Sequence, residues 1–145
     1  MRHIAYHNGF PMKKYDNYCA HLRVLGHAGE QDLENEFIIS GIIAKFFIQF
    51  ELGWKMLKEL LIHEGIVATK TSFPREIIKE AYRYYRSIDE KTWLSMLAQR
   101  NSVTYIYDKN AAKTLVHEIL DTYLSAFAVL QAELEQRYGN TLRKL

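Results

Sequence analysis

The sequence predicts an all-α fold, an antiparallel four-helix up-and-down bundle with an additional short helix. Two observations carry that expectation. Only two prolines, Pro11 and Pro74, and seven glycines interrupt the 145 residues. Between these breakers, apolar residues recur at steps of three and four, the spacing that gathers side chains on one face of a helix. With no internal repeat and no heptad pattern strict enough for an extended coiled coil, a globular bundle is the natural outcome.

The first helix is expected to start after Pro11 and run to about Leu25, with Tyr15, Tyr18, Leu22 and Leu25 on one stripe. GHAGEQD then reads as a turn. A second helix is predicted from near Asp32 to Glu64, with Gly65 as its C-terminal cap. Its stripe runs through Ile39, Ile43, Phe46, Phe50, Trp54, Leu57 and Leu61, over a length of roughly 48 Å at 1.5 Å per residue. Ile38, Ile42, Phe47 and Ile48 widen the apolar arc, so this helix must bury two faces. A central position in the bundle and a dimer seam both satisfy that requirement, and they are compatible. IVATKTS suits a connection. Pro74 fits the first turn of a third helix, where its missing N–H costs little, and Ile77, Ile78, Ala81, Tyr84 and Tyr85 then point inward. Asp89 reads as the N-cap of a short fourth helix carrying Trp93, Met96 and Leu97 on one face. SVTYIY is β-branched and aromatic and is expected to turn. Asp108 caps the last helix, with Leu115, Ile119, Tyr123, Phe127, Leu130 and Leu134 on a long stripe.

Composition bounds the function classes. With 48% hydrophobic and 25% charged residues, the chain has the balance of one globular domain. At this size it buries roughly two-thirds of its unfolded surface and needs no covalent staple. Nineteen basic against 17 acidic residues give a net charge of +2, too even for a dedicated non-specific nucleic-acid binder. Cys19 is the only cysteine, which fits a reducing cytoplasm. The start, MRHIAYHNGFPMKK, has no signal-peptide apolar run. No segment approaches 18 uninterrupted apolar residues, so no membrane span is expected.

A glycine-rich phosphate loop, HExxH, a paired-cysteine metal pattern and a GxSxG elbow are all absent from the sequence. Cys19, His21 and His27 do not make a zinc site by spacing, since residues two apart on a helix point to different faces. Three clusters remain as carriers of chemistry. In FELGWKMLK, Glu51 and Lys55 lie one turn apart beside Trp54, as a surface ion pair next to a core indole or as one wall of a cleft. In the third helix, Arg75, Lys79, Arg83 and Arg86 align with Tyr82 and Tyr85 alongside, a combination suited to a phosphate with a stacked base. Glu76 and Glu80 interleave there, as on an ordinary solvated face. In RNSVTYIYD, Arg100 and Asn101 project from a helix end with Tyr105 and Tyr107 in the following turn. Such groups either converge on a ligand or satisfy backbone carbonyls at the turn.

Taken in order, FELGWKMLK, SFPREIIKEAYRYY and TWLSMLAQRNSVTYIYD resemble the nucleotidyltransferase substrate-binding proteins, within the wider HEPN group of helical domains. The likeness spans nearly the whole chain from MKKYDNY onward, which makes residues 1–11 a variable N-terminal extension and 12–145 a single helical-bundle domain. The resemblance implies a homodimeric bundle, here through the long second helix, encoded beside a minimal nucleotidyltransferase. That partner would need a divalent metal and a nucleotide, while this chain itself would bind no cofactor and no metal. It further implies a substrate- or nucleotide-binding role, in some pairs within a toxin–antitoxin system, with nucleotide or RNA as ligand. In that setting the partner is able to add nucleotides to the motif tyrosine, here Tyr107.

The ribonuclease form of the family motif is arginine, four residues, histidine, one residue, tyrosine. Arg100 and Tyr107 match it, but Tyr105 stands in the histidine position. Tyrosine, with a pKa of about 10, is a poor proton carrier at neutral pH. Lys45 and Phe47 also stand where an arginine and a glutamate are common. The expectation is therefore a non-catalytic binding subunit, with Arg100, Asn101 and Tyr107 lining a cleft, Glu51, Trp54 and Lys55 bracing it, and Arg75, Lys79 and Arg83 engaging nucleotide or partner. The alternatives are a metal-independent ribonuclease toxin using Arg100 with Tyr105 or Tyr107, and a purely structural dimerisation bundle.

Overall fold

A computed structural model describes residues 10–66 and 73–143, and every regular element among them is helical. Helix α1, Met12–Leu25, buries Tyr15, Tyr18, Leu22 and Leu25, the expected stripe. GHAGEQD contains a short 3₁₀ turn, Ala28–Glu30. Helix α2, Glu36–His63, starts later than Asp32 because Asn35 is the residue that caps it. The Asn35 side chain accepts from the N–H groups of Phe37 and Ile38 at 2.8 and 3.3 Å, satisfying donors that the first helical turn leaves open. Asp32 instead closes the preceding turn by accepting from Glu34 N–H at 3.0 Å. At the other end Gly65 adopts φ +73°, a conformation that costs a residue with a Cβ and ends the helix.

Helix α3, Pro74–Tyr84, carries its proline in the first turn and buries Ile77, Ile78 and Ala81. Tyr85 is buried just beyond it, whereas Tyr84, expected inward, is only half-buried. The VATKTS part of the expected connection lies outside the described residues. Helix α4, Glu90–Asn101, follows Asp89. Asp89 holds the N-cap position without capping in the usual way, since its carboxylate takes the Thr92 hydroxyl rather than a backbone N–H. The expected turn at SVTYIY is a single helical turn, α5, Thr104–Tyr107. Asp108 then caps α6, Lys109–Glu118, accepting from Asn110 and Ala111 N–H. A π-helical segment, Ile119–Tyr123, joins α6 to α7, Leu124–Arg143, without a break. The stripe predicted for one last helix therefore crosses a wider turn, which the sequence did not announce.

Helix α2 sits at the centre, touching α1, α3, α4 and α6, while α1 also meets α7. That placement explains its wide apolar arc. Ile42 is buried with the main stripe, Ile38 and Phe47 are half-buried, and Ile48 and Phe37 remain 49% and 90% exposed. By length and composition alone α2 is apolar enough to cross a membrane, as the core helix of a globular protein also can be, and 44% of that window is buried inside the chain's own core. Phe10 and Pro11, assigned by sequence to the extension, are buried. The Phe10 ring meets Tyr138 at 5.0 Å and His63 at 5.7 Å.

Gln49, Tyr18 and His21 are paired in a directional way. Gln49, fully buried, donates from Nε2 to the Tyr18 carbonyl at 3.1 Å. Its Oε1 is left as acceptor, so the His21 Nδ1 that lies 2.7 Å away must carry the proton. Tyr18 in turn donates to the Phe127 carbonyl at 2.7 Å, tying α1 to α7.

Gly53 of α2 lies where neighbouring side chains leave no room for a Cβ. A Cβ there would stand 3.1 Å from the Trp93 ring and 3.2 Å from Tyr18. Both neighbours are fully buried and Tyr18 is anchored by its hydroxyl, so neither yields cheaply. Alanine improves helix propensity by about 1 kcal/mol, against an overpacking cost of about 1–3 kcal/mol. Gly53→Ala is expected to lower stability on balance, read as a lower denaturation midpoint at unchanged slope. An equal or higher midpoint would show that the α2–α4 seam has slack.

Candidate functional site

The site is assembled from two helices distant in sequence. On α2, Glu51, Trp54 and Lys55 follow one another within little more than a turn, so their side chains share a face. Trp54 is buried, and its indole Nε1–H donates to Glu51 Oε1 at 3.0 Å. Lys55 Nζ lies 3.7 Å from the same oxygen and 5.9 Å from the centre of the indole. On α4, Trp93, Met96 and Leu97 are buried, and Arg100, one turn beyond, is carried by the same face to α2.

There Arg100 Nε stands 2.7 Å from Glu51 Oε2. That oxygen is buried and has no aligned hydrogen-bond donor, so the contact is Coulombic rather than a well-directed hydrogen bond. Arg100 is one-third exposed and Glu51 27% exposed, which places the pair between a screened surface bridge and a dry one. Arg100 Nη1 donates to Asn101 Oδ1 at 3.3 Å. Using Nε for Glu51 leaves the outer edge of the guanidinium, Nη1 and Nη2, as the part able to meet an anion.

These groups line an open hollow of about 420 Å³. Glu51, Lys55 and Arg100 form its polar wall, while Phe47, Ile48, Leu52 and Tyr105 supply an apolar and aromatic one. The Tyr105 ring leans on Phe47 at 5.4 Å between centroids. A second hollow of about 340 Å³ lies on the other side of Tyr105, where Tyr107, Lys109, Lys113, Glu34 and Glu36 meet. Lys113 pairs with Glu34 at 2.7 Å and Lys109 with Glu36 at 3.4 Å, clamping α6 to the start of α2. Tyr107 itself is 85% exposed.

The fold thus brings Glu51, Trp54, Lys55, Arg100 and Tyr105 together. Asn101 touches Arg100 but does not line the hollow, and Tyr107 belongs to the neighbouring one. The basic residues of α3 are placed elsewhere. Lys79 pairs with Glu90 at 3.1 Å and Arg83 with Glu80 at 3.3 Å, and Arg75 is exposed. None of the three lines either hollow. The Arg83–Glu80 pair within α3 is what an ordinary solvated face shows. Sequence reasoning missed the partnership of Glu51 with Arg100, for which no local signal exists, and the double role of Tyr105 as divider of two hollows.

Cys19, His21 and His27 form no metal cluster, and no group of three His, Cys, Asp or Glu able to hold a metal occurs among the described residues. His27 instead lies 2.9 Å from Glu30. Cys19 is half-buried, and its thiol pKa is raised chiefly by burial, which makes it a weak nucleophile.

Comparison with known proteins gives two findings. The family model described as "Nucleotidyltransferase substrate binding protein like" matches residues 12–136. The chain is also similar to the probable ribonuclease HepT of Haemophilus influenzae, with 27% identity over 110 residues that cover 74% of this chain and 75% of that protein.

Proposed function

The chain belongs to the nucleotidyltransferase substrate-binding protein family, and from that premise we propose that it is the substrate- or nucleotide-binding subunit of a two-protein nucleotidyltransferase system, non-catalytic on its own and part of a toxin–antitoxin pair. The observation that carries this reading is the hollow in which Arg100 and Lys55 face an aromatic wall. A cationic edge beside flat apolar groups suits a phosphate attached to a base. Position 105, where a ribonuclease of this family would hold histidine, is a half-buried tyrosine leaning on Phe47. A metal-dependent nucleotide chemistry is assigned to the partner, and this chain supplies the anion-binding wall.

The reading includes a homodimer formed through α2, in the cytoplasm, from protomers built as antiparallel four-helix bundles. What supports the dimer is the apolar surface that α2 leaves uncovered, with Phe37 90% and Ile48 49% exposed, beside Val24 of α1 at 53%. Contacts of α2 with α1, α3 and α6, and of α1 with α7, support the bundle arrangement.

In this scheme Tyr107 is the nucleotide acceptor, because its phenol is exposed in the hollow next to the Arg100 site, which Tyr105 also lines, whereas Tyr105 is held against Phe47. The test is incubation of the full chain with the nucleotidyltransferase encoded next to it, ATP and a divalent metal, followed by peptide mass spectrometry. The expected result is a nucleotidyl mass increment on the Tyr107 peptide that disappears in Tyr107→Phe. An unmodified Tyr107 under conditions where the partner is active would end that role.

A second reading, a ribonuclease toxin, is favoured by the similarity to a protein named a probable ribonuclease and by Arg100 reaching the hollow. Growth inhibition on expression separates the two. Toxicity lost in Arg100→Ala supports the ribonuclease, and toxicity unchanged by that substitution counts against it.

A further inference from the structure

Three charged side chains line the Arg100 hollow, Glu51 and Lys55 from α2 and Arg100 from α4, while α5 contributes only the Tyr105 phenol. Glu51 is the one carboxylate among the lining residues. It lies 2.7 Å from Arg100 Nε and 3.7 Å from Lys55 Nζ, so two cations share one anion and the wall keeps a net positive charge. The sharing is uneven. Arg100 is in contact with the carboxylate, whereas 3.7 Å is beyond hydrogen-bond reach. The Lys55 side chain, 55% exposed, is therefore able to turn its ammonium N–H groups into the hollow. Opposite this polar wall stand Phe47, Ile48, Leu52 and Tyr105, all uncharged. The hollow thus offers one place for a phosphate and one surface for a single organic substituent.

We propose that this hollow takes a phosphomonoester, the terminal phosphate of a mononucleotide or of an oligonucleotide end, in preference to the phosphodiester of an internal linkage. The inference rests on the nucleotide-binding reading above and names the substrate class of that site. Above its second pKa of about 6 a phosphomonoester carries close to two negative charges, against one for a diester. Facing a net positive wall, the second charge adds attraction. At about 4 Å and water-like screening it is worth about fivefold in affinity. The monoester also presents three terminal oxygens to Arg100 and Lys55 where a diester presents two, and it sends out one organic arm, which the apolar wall matches. Lys55 is the specificity-determining residue in this scheme. Without it Arg100 and Glu51 cancel, and a neutral wall does not rank phosphates by charge.

The test is calorimetric binding of adenosine 5′-monophosphate and of the dinucleoside monophosphate ApA to the full chain, at pH 5 and pH 8 and in low salt, where surface charges are least screened. At pH 8 wild type is expected to prefer the monophosphate by about fivefold. At pH 5, where the second phosphate charge is largely gone, that preference should shrink, with ApA as the control for titration of the protein itself. Lys55→Gln should bring the pH 8 ratio close to one, and Lys55→Arg should keep it. Glu51→Gln, whose amide oxygen still accepts the Trp54 indole N–H, should raise it. The 5′-phosphorylated dinucleotide pApA then separates the two sources of the phosphate. Affinity equal to that of the monophosphate assigns the terminal phosphate of a chain, and weaker affinity assigns the free mononucleotide. Equal affinities for the monophosphate and ApA at pH 8, or a ratio unmoved by Lys55→Gln, overturn the proposal while the nucleotide-binding reading stands. If neither ligand binds wild type at millimolar concentration, that reading itself fails and the proposal falls with it.

Discussion

Raising the pH above about 10, the ordinary tyrosine pKa, is expected to unfold the protein abruptly rather than titrate it gradually. Tyr18, Tyr85, Tyr123 and Tyr138 are buried, and burial raises the pKa of each phenol. Their hydroxyls are also engaged. Tyr18 donates to the Phe127 carbonyl, and Tyr123 pairs with Ser95 at 2.6 Å. Tyr138 donates to Glu64 at 2.7 Å, which leaves its oxygen to accept the Tyr85 hydroxyl at 2.8 Å. All four stay neutral in the folded chain and ionise only when it opens. Because the folded pKa lies above the unfolded one, the stabilisation is complete below pH about 10 and is lost as pH rises beyond it. Each such tyrosine steepens the fall by about 1.4 kcal/mol per pH unit. Four acting together remove several kcal/mol per unit, comparable with the whole stability of about 5–15 kcal/mol expected of a domain. Circular dichroism and phenolate absorbance followed along one pH series should change in the same narrow interval. Phenolate appearing for these groups with the helical signal intact would contradict the burial argument.

The helices were legible in the sequence because their determinants are local. The steps of three and four, Pro74 in a first turn, Gly65 past a helix end and Asp108 as a cap each act within a few residues, and each operates in the structure as read. Where the reading slipped, a competing local group had won. Asn35 outbid Asp32 as a cap because its side chain reaches the open N–H groups of α2. The π segment at Ile119–Tyr123 had no announced signal, since it serves a tertiary need: it lets Tyr123 stack on Phe46 at 5.0 Å while its hydroxyl reaches Ser95.

The site was legible only in halves. Glu51, Trp54 and Lys55 declare themselves by helical spacing, and Arg100 by its place at the end of α4. That these halves meet depends on how α4 crosses α2, which no local pattern encodes. The α3 stripe shows the converse. Its regular spacing looks like a site, but Lys79 and Arg83 are answered by Glu90 and Glu80, and periodicity alone does not separate a ligand face from a solvated one. Tyr105 and Tyr107 are two residues apart, yet Tyr105 lines both hollows while Tyr107 lines only the second.

Trp93 is the residue that holds the two halves together, and its replacement should have the second large effect. The indole is fully buried against Phe50 at 6.1 Å and Phe127 at 5.6 Å, over the gap left by Gly53. It therefore bridges α2, α4 and α7 two turns before Arg100. Trp93→Ala empties the centre of that junction and is expected to cost about 3–5 kcal/mol. Trp93→Phe should behave very differently. The indole Nε1–H is buried with no hydrogen-bond partner, so the native residue already bears a desolvation penalty of about 1–3 kcal/mol. Phenylalanine keeps most of the aromatic contact and removes that orphaned donor, so the lost volume is largely offset and the net change should stay within about 1.5 kcal/mol. Denaturant titration of the two variants beside wild type gives the answer. A Phe variant as unstable as the Ala variant would mean that the indole nitrogen has a partner in solution, such as a buried water. If the Phe variant is stable, it should also keep Arg100 at Glu51 and bind phosphate ligands as wild type does, because what α4 requires from position 93 is a ring that fills the space above Gly53.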